Sequence, residues 1–72
     1  MEFEVCIFDK EKVVVIYRLD SGLRLHAMII NGRGVKPERR LKADRKKLPR
    51  LITRLLNAGY DIHPFLDNLK AE

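Results

Sequence analysis

The sequence predicts an α+β domain, in which an antiparallel β-meander of three to four strands packs against one amphipathic α-helix. Two observations predict it: three segments of alternating apolar residues fill the first thirty-one positions, and a helical pattern of Leu and Ile follows later. The 72 residues form a single domain, 1–72. We expect a β-meander over 1–31, a basic loop or edge strand over 32–43, a helix over 44–58 and a short C-terminal helix or tail over 60–72.

The alternation and the joints between the segments predict the meander. The residues expected on its inner face are Phe3, Val5, Ile7, Val13, Val15, Tyr17, Leu19, Leu23, Leu25, Ala27 and Ile29. A three-residue loop at 9–11 pairs Ile7 with Val13, and a second one at 20–22 pairs Leu19 with Leu23. Both joints place the apolar residues on one face, which favours consecutive antiparallel strands.

The outer face of this sheet is less polar than a solvated surface. Its apolar members are Cys6, Phe8, Val14, Ile16, Met28 and Ile30. We expect a second copy of the chain or its own C-terminal tail to cover part of this face. The alternative is that the β-branched residues are present for strand propensity alone.

The elements after the meander follow from spacing and capping. A basic turn at 31–34 leads into a short strand around 39–43, and the apolar stripe of the helix is Leu48, Leu51, Ile52, Leu55 and Leu56. Gly59 is a good helix terminator. Asp44 is a good N-cap, but Pro49 favours either a distorted first turn or a start near Leu48.

A short second helix with Pro64 at its first position is expected to bury Phe65, Leu66 and Leu69. Because the stripe packs on the sheet, Leu51→Asp or Leu55→Asp is expected to unfold the domain.

The charge distribution is strongly uneven. Between residues 33 and 54, which we call the basic segment, ten basic residues face two acidic ones, for a net charge of +8, whereas the rest of the chain sums to −3. The ten are Arg33, Lys36, Arg39, Arg40, Lys42, Arg45, Lys46, Lys47, Arg50 and Arg54. Such a one-sign stripe is typical of proteins that bind polyanions, most often nucleic acid.

The sequence lacks the signatures of several classes of protein function. His26 and His63 have no cysteine partners and no serine nucleophile with a matching base, so we expect neither an enzyme nor a metal or cofactor site. No apolar run approaches the ~20 residues of a membrane span, and the N-terminus lacks a secretory pattern, so a cytoplasmic protein is expected. Cys6 is the single cysteine and is expected to be a small strand hydrophobe.

Three interpretations of the basic segment remain: a nucleic-acid surface, a surface for an acidic protein partner, and a solvated face. We favour backbone-directed binding of single-stranded DNA or RNA; six phosphate contacts give a salt slope of roughly −4. Arg39→Glu with Arg40→Glu is expected to abolish binding without unfolding. The alternative is a protein-interaction module, of a phage or mobile-element type, that docks on a larger host protein through the sheet face of Val14, Ile16, Met28 and Ile30.

The segment Val35-Lys36-Pro37-Glu38-Arg39-Arg40-Leu41-Lys42-Ala43-Asp44 and the helix after it resemble a known family. It is the family of single-stranded-DNA-binding transcriptional coactivators called positive cofactor four, whose members combine a Lys-Pro, a basic pair, a short apolar strand and a helix cap. The resemblance implies transcription regulation, a homodimer with helices at its interface, and β-ribbons that hold single strands through Lys36, Arg39, Arg40 and Lys42. The chain departs from the family in having Leu48-Pro49-Arg50 where the family's helix carries an aromatic residue.

Overall fold

The computed structural model describes residues 2–22 and 24–64. It contains strands β1 (Glu2–Phe8) and β2 (Val13–Arg18), a 3-10 turn (Leu19–Ser21), strands β3 (Met28–Ile30), β4 (Arg33–Val35) and β5 (Arg39–Asp44), helix α1 (Leu48–Asn57) and strand β6 (Asp61–Pro64). These elements confirm the α+β class and the strand predicted around 39–43.

The main sheet has four strands in the order β5-β1-β2-β6. Strand β1 is antiparallel to both β2 and β5, whereas β6 is parallel to β2. Strands β5 and β6 therefore run in the same direction at opposite edges of the sheet. Parallel strands need a crossover connection, and α1 supplies it. The sheet is mixed, so the prediction of a consecutive meander is wrong.

The pairing of β1 with β2 differs from the predicted one by a single residue. Ile7 lies opposite Val14 rather than Val13, because the loop at 9–12 holds four residues and ends with Lys12 at φ 60°. A one-residue shift turns every side chain of β2 to the other face of the sheet. Val14 and Ile16 consequently lie under the helix, while Val15 and Tyr17 lie on the opposite side.

The predicted third strand does not pair with β2. Its last residues form β3, which pairs with β4 in a separate two-stranded hairpin. Asn31 and Gly32 join these strands with φ values of 52° and 77°, the positive values that a type I′ turn requires. Asn-Gly is the strongest short hairpin signal, and here it favours pairing of β3 with β4 over pairing with β2.

The two central strands of the main sheet, β1 and β2, are buried on both faces. On one face lies the helix-side core: Phe3, Val5, Ile7, Val14, Ile16, Ala43 and Leu55, with Leu48, Leu51, Ile52, Tyr60 and Ile62 partly buried around it. On the other lies the hairpin-side core: Cys6, Phe8, Val15 and Tyr17, with Val13, Leu25, Met28 and Val35 packed against it. The expectation that something covers the second face is met by residues 25–35, which are neither a second copy nor the C-terminal tail.

Helix α1 begins and ends where local chemistry sets its limits. It starts at Leu48, which confirms the later of the two predicted starts and not the one capped by Asp44. Pro49 lies in its first turn, where a missing N–H costs nothing. At its end Gly59 takes a φ of 93°, and the Tyr60 N–H donates to the Leu55 carbonyl at 3.0 Å. This is a Schellman ending, as Gly59 predicted. Leu56 is 54% exposed, so it does not belong to the buried stripe.

A short C-terminal helix or tail was predicted over 60–72, with Pro64 at the first helical position. The structure describes residues 60–64 of this segment, and there the helical prediction for Pro64 is wrong. Residues Asp61–Pro64 form β6, and the Asp61 N–H donates to the Lys12 carbonyl at 2.8 Å. Pro64 ends this edge strand, a position at which a residue without an N–H is tolerated. The apolar positions Phe65, Leu66 and Leu69 lie outside the described residues.

Asp9 joins three parts of the domain in what we call the Asp9 clasp. Its carboxylate accepts hydrogen bonds from Arg39 at 2.8 and 3.0 Å and from the Tyr60 hydroxyl at 2.5 Å. The Lys12 Nζ lies 4.7 Å from the centroid of the Tyr60 ring. The β1–β2 loop is thereby tied to β5 and to the turn between α1 and β6. The Arg39 guanidinium, followed by the Tyr60 hydroxyl, lowers the pKa of Asp9 below its usual value.

This lowered pKa predicts an acid-sensitive contribution to stability. In the unfolded chain Asp9 has its ordinary pKa of ~3.9. The stabilisation that its ionised carboxylate gives the folded state is therefore complete above that pH, and it disappears as the pH falls through the lower pKa of the folded state. We expect Asp9→Asn to lower the free energy of unfolding at pH 7, and the difference from the parent to shrink as the pH approaches 3. Urea unfolding of both proteins at four pH values measures this. A difference that does not change with pH would contradict it.

Candidate functional site

A groove of about 470 Å³ separates edge strand β5 from helix α1. We call it the β5–α1 groove. The residues that line it are Leu41, Lys42, Ala43, Lys47, Arg50, Leu51 and Arg54. Four of the seven carry positive charge and none carries a carboxylate. The groove therefore combines a cationic rim with an apolar floor.

The helical wall follows from residue spacing. Lys47 immediately precedes α1, and Arg50 and Arg54 follow it at intervals of three and four residues, which places all three side chains along one side of the helix. Their Cα positions span about 10 Å along the helix axis. Leu51 lies between them in sequence and is partly buried against the helix-side core. Packing of the apolar stripe on the sheet thus directs the cations toward the groove.

The floor follows from the alternation of side chains along β5. Leu41 lies opposite Val5 and Ala43 opposite Phe3, so both face the helix. Ala43 is buried, but Leu41 is 38% exposed because it lies on an edge strand at the open side of the groove. A strand alternating basic and apolar residues was the sequence signal for this floor.

The rim cations are not neutralised within the described part of the chain. Lys42, Lys47, Arg50 and Arg54 make no ion pair and no side-chain hydrogen bond with residues 2–22 or 24–64. The turn before α1 adds two exposed cations, Arg45 and Lys46. Asp44, the nearest carboxylate in sequence, accepts a hydrogen bond from the Lys46 N–H at 3.2 Å. Positive charge therefore accumulates from Lys42 to Arg54.

Two of the predicted site residues have structural partners instead. Arg39 belongs to the Asp9 clasp, and Arg40 donates to the Leu25 carbonyl and, at 3.4 Å, to the Cys6 sulfur. Arg40 thereby holds the segment that covers the hairpin-side core. Charge reversal at both positions would break these contacts, so the double variant suggested by the sequence would destabilise the fold as well as change the surface.

Arg33 and Lys36 lie apart from the groove. Arg33 is in β4, in the hairpin that covers the opposite face of the sheet, and Lys36 follows that strand. Both are exposed. The basic segment is therefore divided between two regions of the fold, and the groove contains its second half.

The outer side of α1 adds neutral polar groups that the sequence analysis did not single out. A shallow depression there is lined by Pro49, Arg50, Thr53, Arg54 and Asn57. The Thr53 hydroxyl donates to the Pro49 carbonyl at 3.0 Å. Arg50 and Arg54 border both this depression and the groove, which makes them the two cations with the widest access to a ligand.

Other reactive groups do not form a second site in the described residues. Burial raises the pKa of the Cys6 thiol, so its thiolate is disfavoured. His63 pairs with Asp61 at 3.1 Å on exposed β6. Residues 2–22 and 24–64 contain no group of three or more potential metal ligands. Among the same residues, no helix has the length and apolar character needed to cross a membrane.

Comparison of the chain with protein families, with curated proteins and with solved structures finds no significant match. The resemblance to the positive cofactor four family stays a prediction from the sequence.

Proposed function

We propose that this protein binds single-stranded nucleic acid in the β5–α1 groove and contacts mainly its phosphate backbone. The observation that carries the proposal is the lining of the groove, with no carboxylate and with four cations that make no ion pair with a described residue. Lys42 contributes from the strand, and Arg50 and Arg54 from the helix. An anionic chain that lies between the two walls gains contacts from both.

The apolar floor favours a single strand over a duplex. In a duplex the faces of the bases are stacked inside, whereas in a single strand they are free to lie on protein side chains. Phosphates at the rim and a base or sugar on Leu41 and Leu51 match the two kinds of surface in the groove. None of the aromatic residues in 2–22 and 24–64 lines it, so these residues do not supply the ~1–3 kcal/mol per base that stacking on an aromatic ring contributes. We therefore expect little sequence preference.

The alternative function, docking on a larger host protein, was expected to use one sheet face, but the residues named for it do not form a single exposed surface. Val14 is fully buried and Ile16 is 5% exposed, both beneath α1, while Met28 packs on the opposite face. An acidic protein partner would have to use the same cationic surface that the proposal assigns to nucleic acid. The cytoplasmic location and the homodimer also stay predictions.

Salt dependence tests the proposal. If the four rim cations each contact one phosphate, the logarithm of the affinity for a fluorescent dT20 strand should fall with the logarithm of salt concentration with a slope of about −3. Fluorescence anisotropy between 50 and 300 mM salt measures this slope. A 20-base-pair duplex under the same conditions should bind more weakly.

Absence of binding to both oligonucleotides at low salt would overturn the proposed function. Tighter binding of the duplex would overturn the preference for a single strand. Sedimentation of the protein alone and with dT20 reports in parallel whether the chain is a dimer.

A further inference from the structure

Strand β5 is the edge of the main sheet next to the groove. It pairs with β1 on one side, and on its other side alternate N–H and C=O groups point away from the sheet. In the described residues, its backbone makes one hydrogen bond outside the sheet, from the Lys47 N–H to the Asp44 carbonyl at its last residue. None of residues 2–22 and 24–64 pairs with the rest of the outer edge, where another strand can add.

Charge decides which kind of strand fits this edge. Along its six residues β5 has one carboxylate, Asp44, and three cations, of which Arg39 is paired with Asp9. Arg40 and Lys42 make no ion pair with a described residue. A second copy of β5 would bring the same cations against them, and like charges directly opposite each other are destabilising in sheets. A strand rich in carboxylates would instead form favourable cross-strand pairs.

The alternation of β5 also specifies the pattern of its partner. Leu41 and Ala43 face the helix, whereas Arg40 and Lys42 face the other side of the sheet. A partner strand needs apolar side chains on the helix side, where they reach the groove floor, and carboxylates on the other side. This requirement is met by a strict alternation of acidic and apolar residues.

We propose that β5 accepts an extended acidic peptide segment of another protein as a fifth strand, with acidic and apolar residues in alternation. The peptide would be held by main-chain hydrogen bonds along the edge, by Lys42 on one face and by Leu41 on the other. Because Leu41 and Lys42 are both lining residues of the groove, such a segment excludes a nucleic-acid strand from it. This competition, unlike peptide binding itself, rests on the proposed function.

Hydrogen exchange with a synthetic peptide tests the proposal. The probe is acetyl-Glu-Val-Glu-Val-Glu-Val-Glu-amide, and the controls are a peptide of the same composition with four Glu followed by three Val, and a Lys-Val alternation of opposite charge. We expect the alternating acidic peptide to slow exchange of the β5 amides at least tenfold, while neither control does. Amide exchange resolved by NMR measures each position without any nucleic acid present.

Matched variants locate the contact. Lys42→Gln on the edge should weaken binding of the alternating acidic peptide several-fold, whereas Lys46→Gln in the adjacent turn removes the same charge and should change it less than twofold. The proposal would be overturned if exchange of the β5 amides stayed unchanged at saturating alternating acidic peptide. It would also be overturned if the control peptide with four Glu followed by three Val bound equally well. Either result would leave the proposed function intact. Failure of dT20 and the duplex to bind while the peptide protects β5 would overturn the proposed function, and the competition with it, but not the binding of the peptide.

Discussion

Replacing Leu55 by aspartate is expected to unfold the domain. Leu55 is 6% exposed and packs in the helix-side core against strands β1 and β2. Truncation of a buried leucine costs about 2–5 kcal/mol, and an unpaired buried carboxylate costs several more. A domain of this size has a free energy of unfolding of only about 4–11 kcal/mol. Loss of the far-UV circular dichroism signal and of cooperative urea unfolding at 25 °C would report the effect.

The adjacent residue provides a matched control. Leu56 is 54% exposed, so Leu56→Asp introduces the same group in the same helix without burying it and should change the free energy of unfolding by less than about 1 kcal/mol. Leu51→Asp, at a partly buried position, should lie between the two. If Leu55→Asp retained the parent's unfolding midpoint, the packing of α1 on the sheet would be refuted.

Reversing charge at Arg50 and Arg54 is expected to remove nucleic-acid binding while the domain stays folded. Both residues are exposed, and neither makes an ion pair or side-chain hydrogen bond with a described residue. The double variant Arg50→Glu, Arg54→Glu loses two phosphate contacts and adds two repulsive charges. We expect affinity for dT20 at 100 mM salt to fall about 100-fold and the salt slope to become less steep by roughly 1.4.

A second double variant separates local contacts from net charge. Lys10→Glu with Arg24→Glu changes the net charge from +5 to +1, as the groove variant does, but at exposed positions that do not line the groove. It should weaken binding less than fivefold and leave the slope nearly unchanged. Equal losses in the two variants would mean that binding depends on overall charge and not on the groove.

The sequence predicted those elements whose signals are local. The alternation of Phe3, Val5 and Ile7 marked β1, and the spacing from Leu48 to Leu55 together with Gly59 marked the helix and its end. The short strand around 39–43 was also found, because its alternation continues through charged residues. Propensity and capping act within a few residues, so one sequence contains enough information to identify them.

The pairing of strands was harder to predict, for a physical reason. The alternation of apolar and polar residues specifies the register of a strand only where one face of the sheet is buried and the other is exposed to solvent. Here Val14 and Val15 are both fully buried, on opposite faces, so a shift of one residue exposes nothing apolar. The position of β6 beside β2 depends on contacts between residues 48 apart, such as Val13 with Asp61, that no local pattern contains.

The candidate site was predicted in composition but not in arrangement. The density of cations drew attention to the basic segment, and four of its ten cations line one groove: Lys42, Lys47, Arg50 and Arg54. Arg39 is paired with Asp9, thirty residues earlier in the sequence, and Arg40 with the Leu25 carbonyl, fifteen residues earlier. Such partners become visible only when the fold brings distant segments together.

Burial of the β1–β2 hairpin on both faces has a consequence for synthesis on the ribosome. This hairpin is complete at Arg18, whereas its two covers come later, the first from residues 25–35 and the second from 48–62. Until both have left the exit tunnel, a nascent chain carries a ribbon that is apolar on each side and unpaired along each edge. Exposed ribbons of this kind are prone to aggregate. Packing of α1 on the sheet, which forms the groove, therefore also buries an apolar face through which the nascent chain would aggregate.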